Sequence, residues 1–410
     1  MHLPSEEESL WRESYDGPVY PELKNDIQAD VAVVGAGITG LSCAYFLKRA
    51  GMTVAVIDKD SVGGGTTGRT TGKVTSQQGL IYAELVDKLG KKKAGAHANH
   101  AQQALKNIKT IINNEKIDCD WQVDDNYIFT TDGQRVSEFR KEAKTCKMLG
   151  LPASFETDTP LPFKVRAAVK FGGQAKFNAQ KYLLGLARAV NGGGSFVFEK
   201  SPAIYIKEGN PGRVSTRKGK IRANYIIVAT NVPTLPQLAR ATYCLFEYPT
   251  ESYIVAGRPK QRFEGMYISP DEDNYSILPF KRGNMNLLLI GGGGNISGMR
   301  LSKSARYEKL ARYGQEHFGL SKITHTWSDR DYIAYDRLPM AGRLYPWSKS
   351  RYVATAYRKW GLTNATACAL LLSDLIQGKK NELADIYNPH RTGLIGSIPR
   401  HFSKNYRARA

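Results

Sequence analysis

The stretch ADVAVVGAGITGLSCAYFLKRAGMTVAVID, residues 29–58, decides the fold. Two valine-rich runs enclose a glycine turn and a run of Ala, Leu and Phe at helical spacing. This order predicts a buried strand, a turn, a helix and a second buried strand, which together form a βαβ unit. The two strands of such a unit lie in one parallel sheet.

The turn of this unit contains the fingerprint Gly35-x-Gly37-x-x-Gly40, and Asp58 ends the second strand. Gly35 permits the tight turn, Gly37 lets backbone amides approach a pyrophosphate, and Gly40 lets the helix pack closely on the strand. The helix N-terminus favours the anion. Asp58 is predicted to accept hydrogen bonds from a ribose, which disfavours a 2′-phosphate. The fingerprint therefore predicts FAD or NAD, and NADP is disfavoured.

The loop GGGTTGRTTGKVTSQ, residues 63–77, follows Asp58 closely and favours FAD over NAD. We call it the flavin loop. FAD binds in extended form, which suits a fingerprint near the start of the chain and sheet strands dispersed along it. The loop is not a nucleoside-triphosphate site, because a P-loop ending at Lys73 would need glycine at Thr67 and Ser or Thr at Val74.

Further sheet strands are predicted far along the chain, at 223–230 (ANYIIVAT) and 351–357 (RYVATAY), the second followed by a predicted helix. Segments with other patterns of apolar residues separate these strands. They comprise a helical segment at 83–115, an alternating one at 124–131, and hairpin-like runs at 250–258 and 286–293. These segments predict a second, antiparallel domain that is inserted twice into the first.

The composition sets the outer bounds of function. The 410 residues include 58 Lys+Arg and 38 Asp+Glu, for a formal net charge of +20, which attracts anions. No nucleic-acid motif accompanies the charge, so no nucleic-acid partner is expected. His97 and His100 stand at helical spacing without a third ligand, so no metal site is expected.

The five widely separated cysteines include no C-x-x-C pair, and they fit reduced thiols in the cytoplasm. The N-terminal residues are acidic rather than basic and apolar, and no run of about 18 apolar residues occurs. We therefore expect a cytoplasmic protein without a secretion signal or a transmembrane segment.

Over residues 28–378 the chain resembles the D-amino-acid oxidase/glycine oxidase/sarcosine oxidase superfamily of FAD-dependent oxidoreductases. The motifs that carry the resemblance, in family order, are the fingerprint, GGGTTGRTTGKV, IIVATNVP at 226–233, DRLPMAGR at 336–343 and VATAYRKWGLTNA at 353–365. The last two are most similar to bacterial members with a fused C-terminal Rieske domain. No C-x-H with C-x-x-H is present, so no iron–sulfur cluster is expected in this polypeptide.

The resemblance implies an α/β fold, α+β overall, in which a Rossmann-like FAD-binding domain carries a discontinuous antiparallel-sheet substrate domain. The implied division is an N-terminal extension at 1–27, an FAD-binding domain at 28–85, 176–240 and 336–378, a substrate domain at 86–175 and 241–335, and a basic, weakly structured tail at 379–410.

The resemblance also assigns residues to the cofactor. Besides Gly35, Gly37, Gly40 and Asp58, they are Ile38, Thr39, Lys59, Thr66, Thr67, Arg69, Thr70, Thr71, Lys73, Ala203, Ala229, Thr230, Gly342, Gly361, Leu362 and Thr363. Ala203 fits the place whose backbone meets adenine, and the last four fall near the pyrimidine end of the flavin. No cysteine occurs at 327–335, where some relatives attach flavin covalently, so we expect non-covalent FAD.

The activity implied by the resemblance is oxidation of a C–N bond, in which a hydride leaves the carbon bearing a neutral amine and the resulting imine is hydrolysed. This chemistry demands no dedicated acid–base pair. Amino-acid oxidases of the superfamily hold the substrate carboxylate with an arginine, where this chain has Asp331 or its neighbour. An acidic residue suits a cationic amine, whereas Arg330, Arg337 or Arg358 would suit an amino acid, so both substrate classes stay open.

The remaining candidates for the substrate site are aromatic or cationic. Tyr253, Tyr275, Tyr332 and Trp360 could form an aromatic cage around an amine, or pack as ordinary core residues. Lys73 and Lys359 are candidates for activating oxygen or tuning the flavin. Two alternatives to an oxidase stay open: an FAD dehydrogenase that passes electrons to a quinone or to a separate protein acceptor, and a non-catalytic flavin-binding protein.

Overall fold

The computed structural model describes residues 3–13, 17–271, 273–296 and 302–395. In chain order the strands are β1 (Ile27–Val34), β2 (Val54–Ile57), β3 (Lys73–Val74), β4 (Gln122–Thr130), β5 (Ala153–Glu156), β6 (Ala167–Lys176), β7 (Phe196–Phe198), β8 (Tyr205–Lys207), β9 (Gly212–Ser215), β10 (Lys220–Val228), β11 (Glu247–Gly257), β12 (Met266–Ile268), β13 (Ser276–Arg282), β14 (Met285–Ile296), β15 (Ile323–Ala334), β16 (Met340–Arg343) and β17 (Arg351–Thr355). The α-helices are α1 (Ile38–Arg49), α2 (Tyr82–Asn114), α3 (Val136–Met148), α4 (Ala179–Val190), α5 (Gln237–Tyr243), α6 (Lys303–Phe318), α7 (Gly361–Ile376), α8 (Leu383–Ile386) and α9 (Thr392–Ile395).

The first sheet has the order β16-β17-β10-β1-β2-β7, and its central strands are parallel. Val34 at the end of β1 lies opposite Val228 of β10 and Ile57 of β2. The dispersed strands predicted from sequence therefore form one parallel sheet, as expected. Their carboxyl ends meet at one edge, which is where ligands bind in sheets of this kind.

Strand β17 ends at Thr355, two residues earlier than predicted, because the backbone turns sharply after it. Ala356, Arg358 and Lys359 adopt φ of 63°, 55° and 66°, in a region that residues with a side chain seldom occupy. A strand cannot continue through such angles. Clusters of strained residues of this kind are typical of functional sites.

The second sheet has the order β15-β11-β14-β13-β12-β4-β6-β3, with β5 added beside β6, and it is antiparallel except where β12 meets β4. The alternating run at 124–131 lies in β4, and the runs at 250–258 and 286–293 lie in β11 and β14, which pair with each other. The helical prediction at 83–115 corresponds to α2, which is kinked at Gly90.

The chain passes from the first sheet to the second within the flavin loop. Lys73 and Val74, assigned to the FAD-binding domain, pair with Lys176 and Ala175 in the second sheet. The flavin loop thus joins the two sheets. The exact domain boundaries stay predictions.

The expectation of weak structure from residue 379 onward is wrong over residues 383–394. Leu383, Tyr387 and Leu394 are buried, and the backbone N–H of Ala341 in β16 donates to the Tyr387 carbonyl at 2.8 Å. The physical reason is that this segment has apolar residues at helical spacing, which can pack on the protein. The prediction from its basic composition overlooked them. Residues 396–410 of the predicted tail lie outside the described residues. In the described part of the chain, no helix is both long and apolar enough to cross a bilayer.

Candidate functional site

A cavity of about 1600 Å³ opens where the carboxyl ends of β1, β2 and β10 face the second sheet. Small-molecule sites usually measure roughly 300–1,000 Å³. This cavity is larger, and its wall runs from the fingerprint through the flavin loop to the strained segment at 356–359. Its size and length suit an extended dinucleotide together with a second, smaller molecule.

The fingerprint glycines form a turn that no side chain could enter. Gly35 has a φ of 113°, and a Cβ on it would lie 2.4 Å from the Ala229 carbonyl oxygen. A Cβ on Gly40 would lie 1.8 Å from the Gly35 carbonyl oxygen. Helix α1 begins at Ile38, and no acidic residue occupies its first turn. The positive end of this helix is therefore free to meet an anion in the cavity.

Asp58 lines the cavity and also supports the turn. Its carboxylate accepts the backbone N–H of Ala36 at 2.7 Å and that of Asp60 at 2.8 Å. Burial raises the pKa of this carboxyl, while the two backbone donors lower it. Because a carboxylate has about four lone-pair sites, it can still accept from a ribose.

The flavin loop forms a short 3₁₀ turn at Thr66–Arg69. Side chains of this turn make hydrogen bonds to the start of α1 and within the loop. Thr67 accepts the backbone N–H of Ile38 at 3.1 Å, which joins the loop to the start of α1. The Arg69 guanidinium donates to the Gly64 carbonyl at 2.8 Å. The threonine hydroxyls and Arg69 thus stand beside the helix terminus, along one wall of the cavity.

Lys73 lies at the far end of this loop, where the cavity meets the second sheet. Its ammonium donates to the Tyr267 carbonyl at 2.7 Å and to the Ser276 hydroxyl at 2.8 Å. Burial lowers the pKa of Lys73 well below its usual value, and Lys176 adds repulsion. Lys73 is thus buried and bonded within the protein rather than facing bulk solvent.

The structure brings most of the predicted site residues to this one cavity. Those that line it are Gly35, Gly37, Ile38, Thr39, Asp58, Lys59, Thr66, Thr67, Arg69, Thr70, Thr71, Lys73, Ala203, Ala229, Thr230, Arg330, Asp331, Tyr332, Arg337, Arg358, Lys359, Trp360, Gly361 and Leu362. The lining does not include Gly40, Tyr253, Tyr275, Gly342 or Thr363.

Each of these five residues packs elsewhere for a physical reason. Gly40 packs against the Gly35 backbone, and a Cβ on Gly342 would meet Pro389 at 2.9 Å. The Thr363 hydroxyl donates to the Thr75 carbonyl at 2.9 Å. Tyr253 packs edge-on against Tyr307, and Tyr275 stacks on Tyr313 with ring centroids 3.7 Å apart. The structure therefore favours ordinary packing for these two tyrosines over an aromatic cage.

Asp331 and Lys359 are paired with each other. The Lys359 backbone N–H donates to the Asp331 carboxylate. Burial raises the pKa of Asp331 and lowers that of Lys359, and the mutual attraction of the two charges opposes both shifts. The exposed surface of Lys359 faces the cavity. The Asp331 charge is thus balanced from within the protein.

Arg358 is compensated less completely. Its side chain is partly buried, and its Nη1 is shielded from solvent and has no hydrogen-bond partner among the described residues. Burial and the neighbouring Arg337 lower the pKa of Arg358 to about 9, although Glu84 and Glu142 oppose this shift. Glu84 is itself engaged by an ion pair with Arg337. Removing a guanidinium partly from water is costly unless a neighbour or a ligand compensates its charge.

The sequence did not reveal three charged residues that line the same end of the cavity, namely Glu84, Arg135 and Glu142. Glu142 accepts the backbone N–H groups of Ile81, Tyr82 and Ala83 at 2.8–2.9 Å and so caps the start of α2. On the chain these residues look like charges on amphipathic helical segments. Only the packing of α2 against α3 brings them together.

Asp329, on the cavity wall beside Arg69 and Asp331, gives a prediction for stability. Burial raises its pKa to about 7, and the Asp331 charge adds to the shift. An unfolded Asp titrates near 3.9, so the folded state binds the extra proton between about pH 4 and 7, and stability falls as pH rises through this window. We expect Asp329→Asn to match the unaltered protein in melting temperature at pH 4 and to melt higher at pH 8. For the exposed control Asp118→Asn, the difference in melting temperature from the unaltered protein should be the same at both pH values. If the difference in melting temperature for Asp329→Asn is also the same at both pH values, the raised pKa assigned to Asp329 is contradicted.

The described residues contain no group of three His, Cys, Asp or Glu side chains that could hold a metal ion. The donors at the cavity are instead glycine backbone, hydroxyls, the N-terminus of α1 and Arg69, which suit a pyrophosphate and a ribityl chain. A Cβ at Gly37 would lie 3.2 Å from the Thr67 hydroxyl, so the approach there needs bare backbone. The residues present therefore fit FAD.

Comparison with known proteins agrees with this fit. The sequence model of the family DAO, FAD dependent oxidoreductase, matches residues 30–375. The chain is 31% identical to the putative Rieske 2Fe-2S iron-sulfur protein YhfW of Bacillus subtilis, over 97% of this chain and 78% of that protein. It is 25% identical to gamma-glutamylputrescine oxidoreductase of Escherichia coli, over 90% of this chain and 89% of that protein.

Among solved structures, glycine oxidase from Geobacillus kaustophilus superposes with a TM-score of 0.75 and 19% identity, covering 88% of this chain and 99% of that one. At this identity the likeness shows the fold alone. The fold predicted from sequence is confirmed, and so is the resemblance. The chain belongs to the DAO family of FAD-dependent oxidoreductases.

Proposed function

We propose that this oxidoreductase oxidises the C–N bond of an amine or amino acid, and that an amino acid is the better fit. A hydride leaves the carbon that bears the neutral amine, and water hydrolyses the resulting imine to a carbonyl compound and a free amine. FAD, when bound, supplies the hydride acceptor. The protein's own residues orient the substrate and exclude water until the hydride has left.

The observation that carries the choice of an amino acid is that Arg358 lines the cavity while its Nη1 has no hydrogen-bond partner among the described residues. Arginine binds carboxylates through two parallel N–H donors, and a bound carboxylate would compensate the buried charge. Arg337 lies close enough to lower the pKa of Arg358, and so adds positive potential at the same end of the cavity. Together they make a site for the carboxylate of an amino acid.

Asp331 supports a simple cationic amine less well than its sequence position suggests. Its carboxylate accepts the backbone N–H of Lys359, and the Lys359 side chain opposes its charge. A carboxylate already paired within the protein attracts a substrate ammonium only weakly. In our proposal Asp331 holds the strained segment at 356–359, next to Arg358, in place.

An anaerobic panel tests this proposal directly. The FAD-loaded protein is mixed without oxygen with amino acids and with the matching amines that lack the carboxylate, and loss of the flavin absorbance near 450 nm is followed. We expect bleaching by at least one amino acid and slower bleaching by its decarboxylated counterpart. Bleaching by amines alone would reverse the substrate class, and no bleaching by any member would support a binding role without catalysis.

The electron acceptor needs a separate experiment. Stopped-flow mixing of the reduced protein with air-saturated buffer measures how fast oxygen reoxidises the flavin. Fast reoxidation supports an oxidase. Slow reoxidation, with faster electron transfer to a quinone or a protein acceptor, supports the dehydrogenase alternative, in which the excess of basic residues would attract an acidic partner.

Asp58→Asn tests the ribose contact. Loss of a charge-assisted hydrogen bond costs about 1–3 kcal/mol, so the FAD dissociation constant should rise about 5- to 150-fold. It is measured by titrating apoprotein with FAD. The control Asp118→Asn removes an exposed carboxylate that does not line the cavity, and its constant should stay within twofold. An unchanged constant in Asp58→Asn would show that Asp58 does not bind the cofactor.

We further propose that FAD is held without a covalent bond and that the protein works in the cytoplasm. The segment 327–335 contains no cysteine, and all five cysteines are free thiols, four of them buried. Acid precipitation tests the first point, since non-covalent FAD stays in the supernatant.

A further inference from the structure

The N-terminal residues 8–12, which we call the strap, lie outside the DAO family match and against the flavin loop. Three of their side chains reach carbonyl oxygens of that loop. The Ser9 hydroxyl donates to Gly68 at 2.7 Å, the Trp11 indole N–H donates to Thr70 at 2.5 Å, and the Arg12 guanidinium reaches Gly64 at 3.5 Å.

The strap is anchored on the second sheet rather than on the first. The backbone N–H of Glu8 donates to the Thr326 carbonyl of β15 at 2.9 Å. Leu10 and Trp11 are each 2% exposed, and the Trp11 ring packs edge-on against Phe280 of β13 at 4.9 Å between centroids. Trp327 of β15 adds its own indole N–H to the Arg69 carbonyl at 2.8 Å. The flavin loop is thus tied to the second sheet through its carbonyl groups.

The direction of these bonds fixes the direction of the loop amides. In a trans peptide the C=O of one residue and the N–H of the next point in opposite directions. Because the Thr70 carbonyl points to the strap, the N–H group of Thr71 points away from it. Thr71 lines the cavity. A backbone N–H group on the wall of a cavity can donate to an anion bound there.

The loop needs such support because it is rich in glycine. Gly63, Gly64, Gly65, Gly68 and Gly72 give the chain many accessible conformations, and ordering them costs conformational entropy. The bonds within the loop include long ones, from the Thr70 N–H to the Thr67 carbonyl at 3.4 Å and from the Gly72 N–H to the Thr70 hydroxyl at 3.3 Å. An external strap that orders the loop before the ligand arrives lowers the cost of binding.

We propose that Ser9 and Trp11 are positioning residues for FAD, which hold the flavin loop in its cofactor-binding conformation without touching the cofactor. The proposal makes residues 8–12 part of the cofactor site although they precede the fingerprint. It concerns FAD alone, so its outcome does not depend on which amine is oxidised.

The test compares FAD affinity with apoprotein stability. Trp11→Phe keeps an aromatic ring in the core but removes the indole N–H together with the five-membered ring that carries it, and Ser9→Ala removes only the hydroxyl. The control Trp121→Phe makes the same change at a partly buried indole whose N–H has no hydrogen-bond partner among the described residues. The FAD dissociation constant is measured by separating free from bound FAD, and the apoprotein melting temperature is recorded beside it.

We expect the dissociation constant to rise about tenfold in Trp11→Phe and about threefold in Ser9→Ala, and to stay within twofold in Trp121→Phe. A purely structural strap would lower the apoprotein melting temperature and leave FAD affinity unchanged. Unchanged affinity in both strap variants would therefore overturn the proposal. If Trp11→Phe does not fold, Ser9→Ala decides by the same criterion.

Discussion

Replacing Arg358 with methionine is expected to lower kcat/KM for an amino-acid substrate about 100-fold. Its guanidinium is the group that we assign to the substrate carboxylate, because Arg358 lines the cavity and its Nη1 has no partner in the described part of the protein. Loss of a hydrogen-bonded charge partner costs about 3 kcal/mol, which corresponds to that factor. Steady-state or anaerobic half-reaction kinetics on the best amino acid of the panel measure it.

A substrate without a carboxylate is the control for Arg358→Met. An amine that lacks the carboxylate gains nothing from Arg358, so its rate constant should change less than threefold. Arg312→Met, at an exposed arginine outside the cavity, should leave both substrates unaffected. Equal losses for both substrates, or a larger loss in Arg330→Met than in Arg358→Met, would contradict the assignment of the carboxylate site.

Part of the fingerprint could be interpreted correctly from sequence because it answers local demands of the backbone. Gly35 has a φ of 113°, and a Cβ on Gly40 would meet the Gly35 carbonyl oxygen of the same turn, so the spacing of these two glycines carries the geometry with it. The parallel sheet could be predicted for a similar reason, since short runs rich in Val and Ile are typical of its buried strands. Local sequence was enough wherever the constraint was local.

The charged end of the cavity could not be predicted in this way. Arg358 lies at the cavity where the chain after β17 turns through residues of positive φ, which no feature of the sequence indicates. Glu142 reaches the start of α2 from α3, a contact between segments 60 residues apart in the chain. The sequence named Arg358 among three arginines, but it could not tell which of them would have a side-chain nitrogen without a partner among the described residues.

The roles of Tyr253 and Tyr275 could not be decided from sequence either. Aromatic residues near a binding site are equally suited to a ligand and to the core, and both rings pack on aromatic residues of α6. The contact between the strap and the flavin loop could not be predicted for the same reason, because nothing in the spacing of Ser9 and Trp11 relates them to a loop nearly 60 residues later. Long-range contacts had to be seen in the fold.

Gly40→Ala is expected to abolish FAD retention and to lower the melting temperature by about 10 °C. Alanine favours a helix over glycine by about 1 kcal/mol, so on propensity alone the change at this position of α1 would be stabilising. The steric term opposes it and is larger. The new Cβ would lie 1.8 Å from the Gly35 carbonyl oxygen, and a backbone atom cannot move aside as a flexible side chain can.

Relieving this contact requires α1 to move away from β1 or the Gly35 turn to open, and either movement removes the amides from the pyrophosphate position. Overpacking of this kind costs about 3 kcal/mol, and each kcal/mol lowers the melting temperature by roughly 2–4 °C in proteins of 150–250 residues. Gly95→Ala is the matched control, because it changes a helical glycine whose added Cβ would have only Leu149 at 3.9 Å. It should keep FAD and melt no lower than the unaltered protein. Bound FAD in purified Gly40→Ala would show that close packing of α1 on the Gly35 turn is not what shapes the cofactor site.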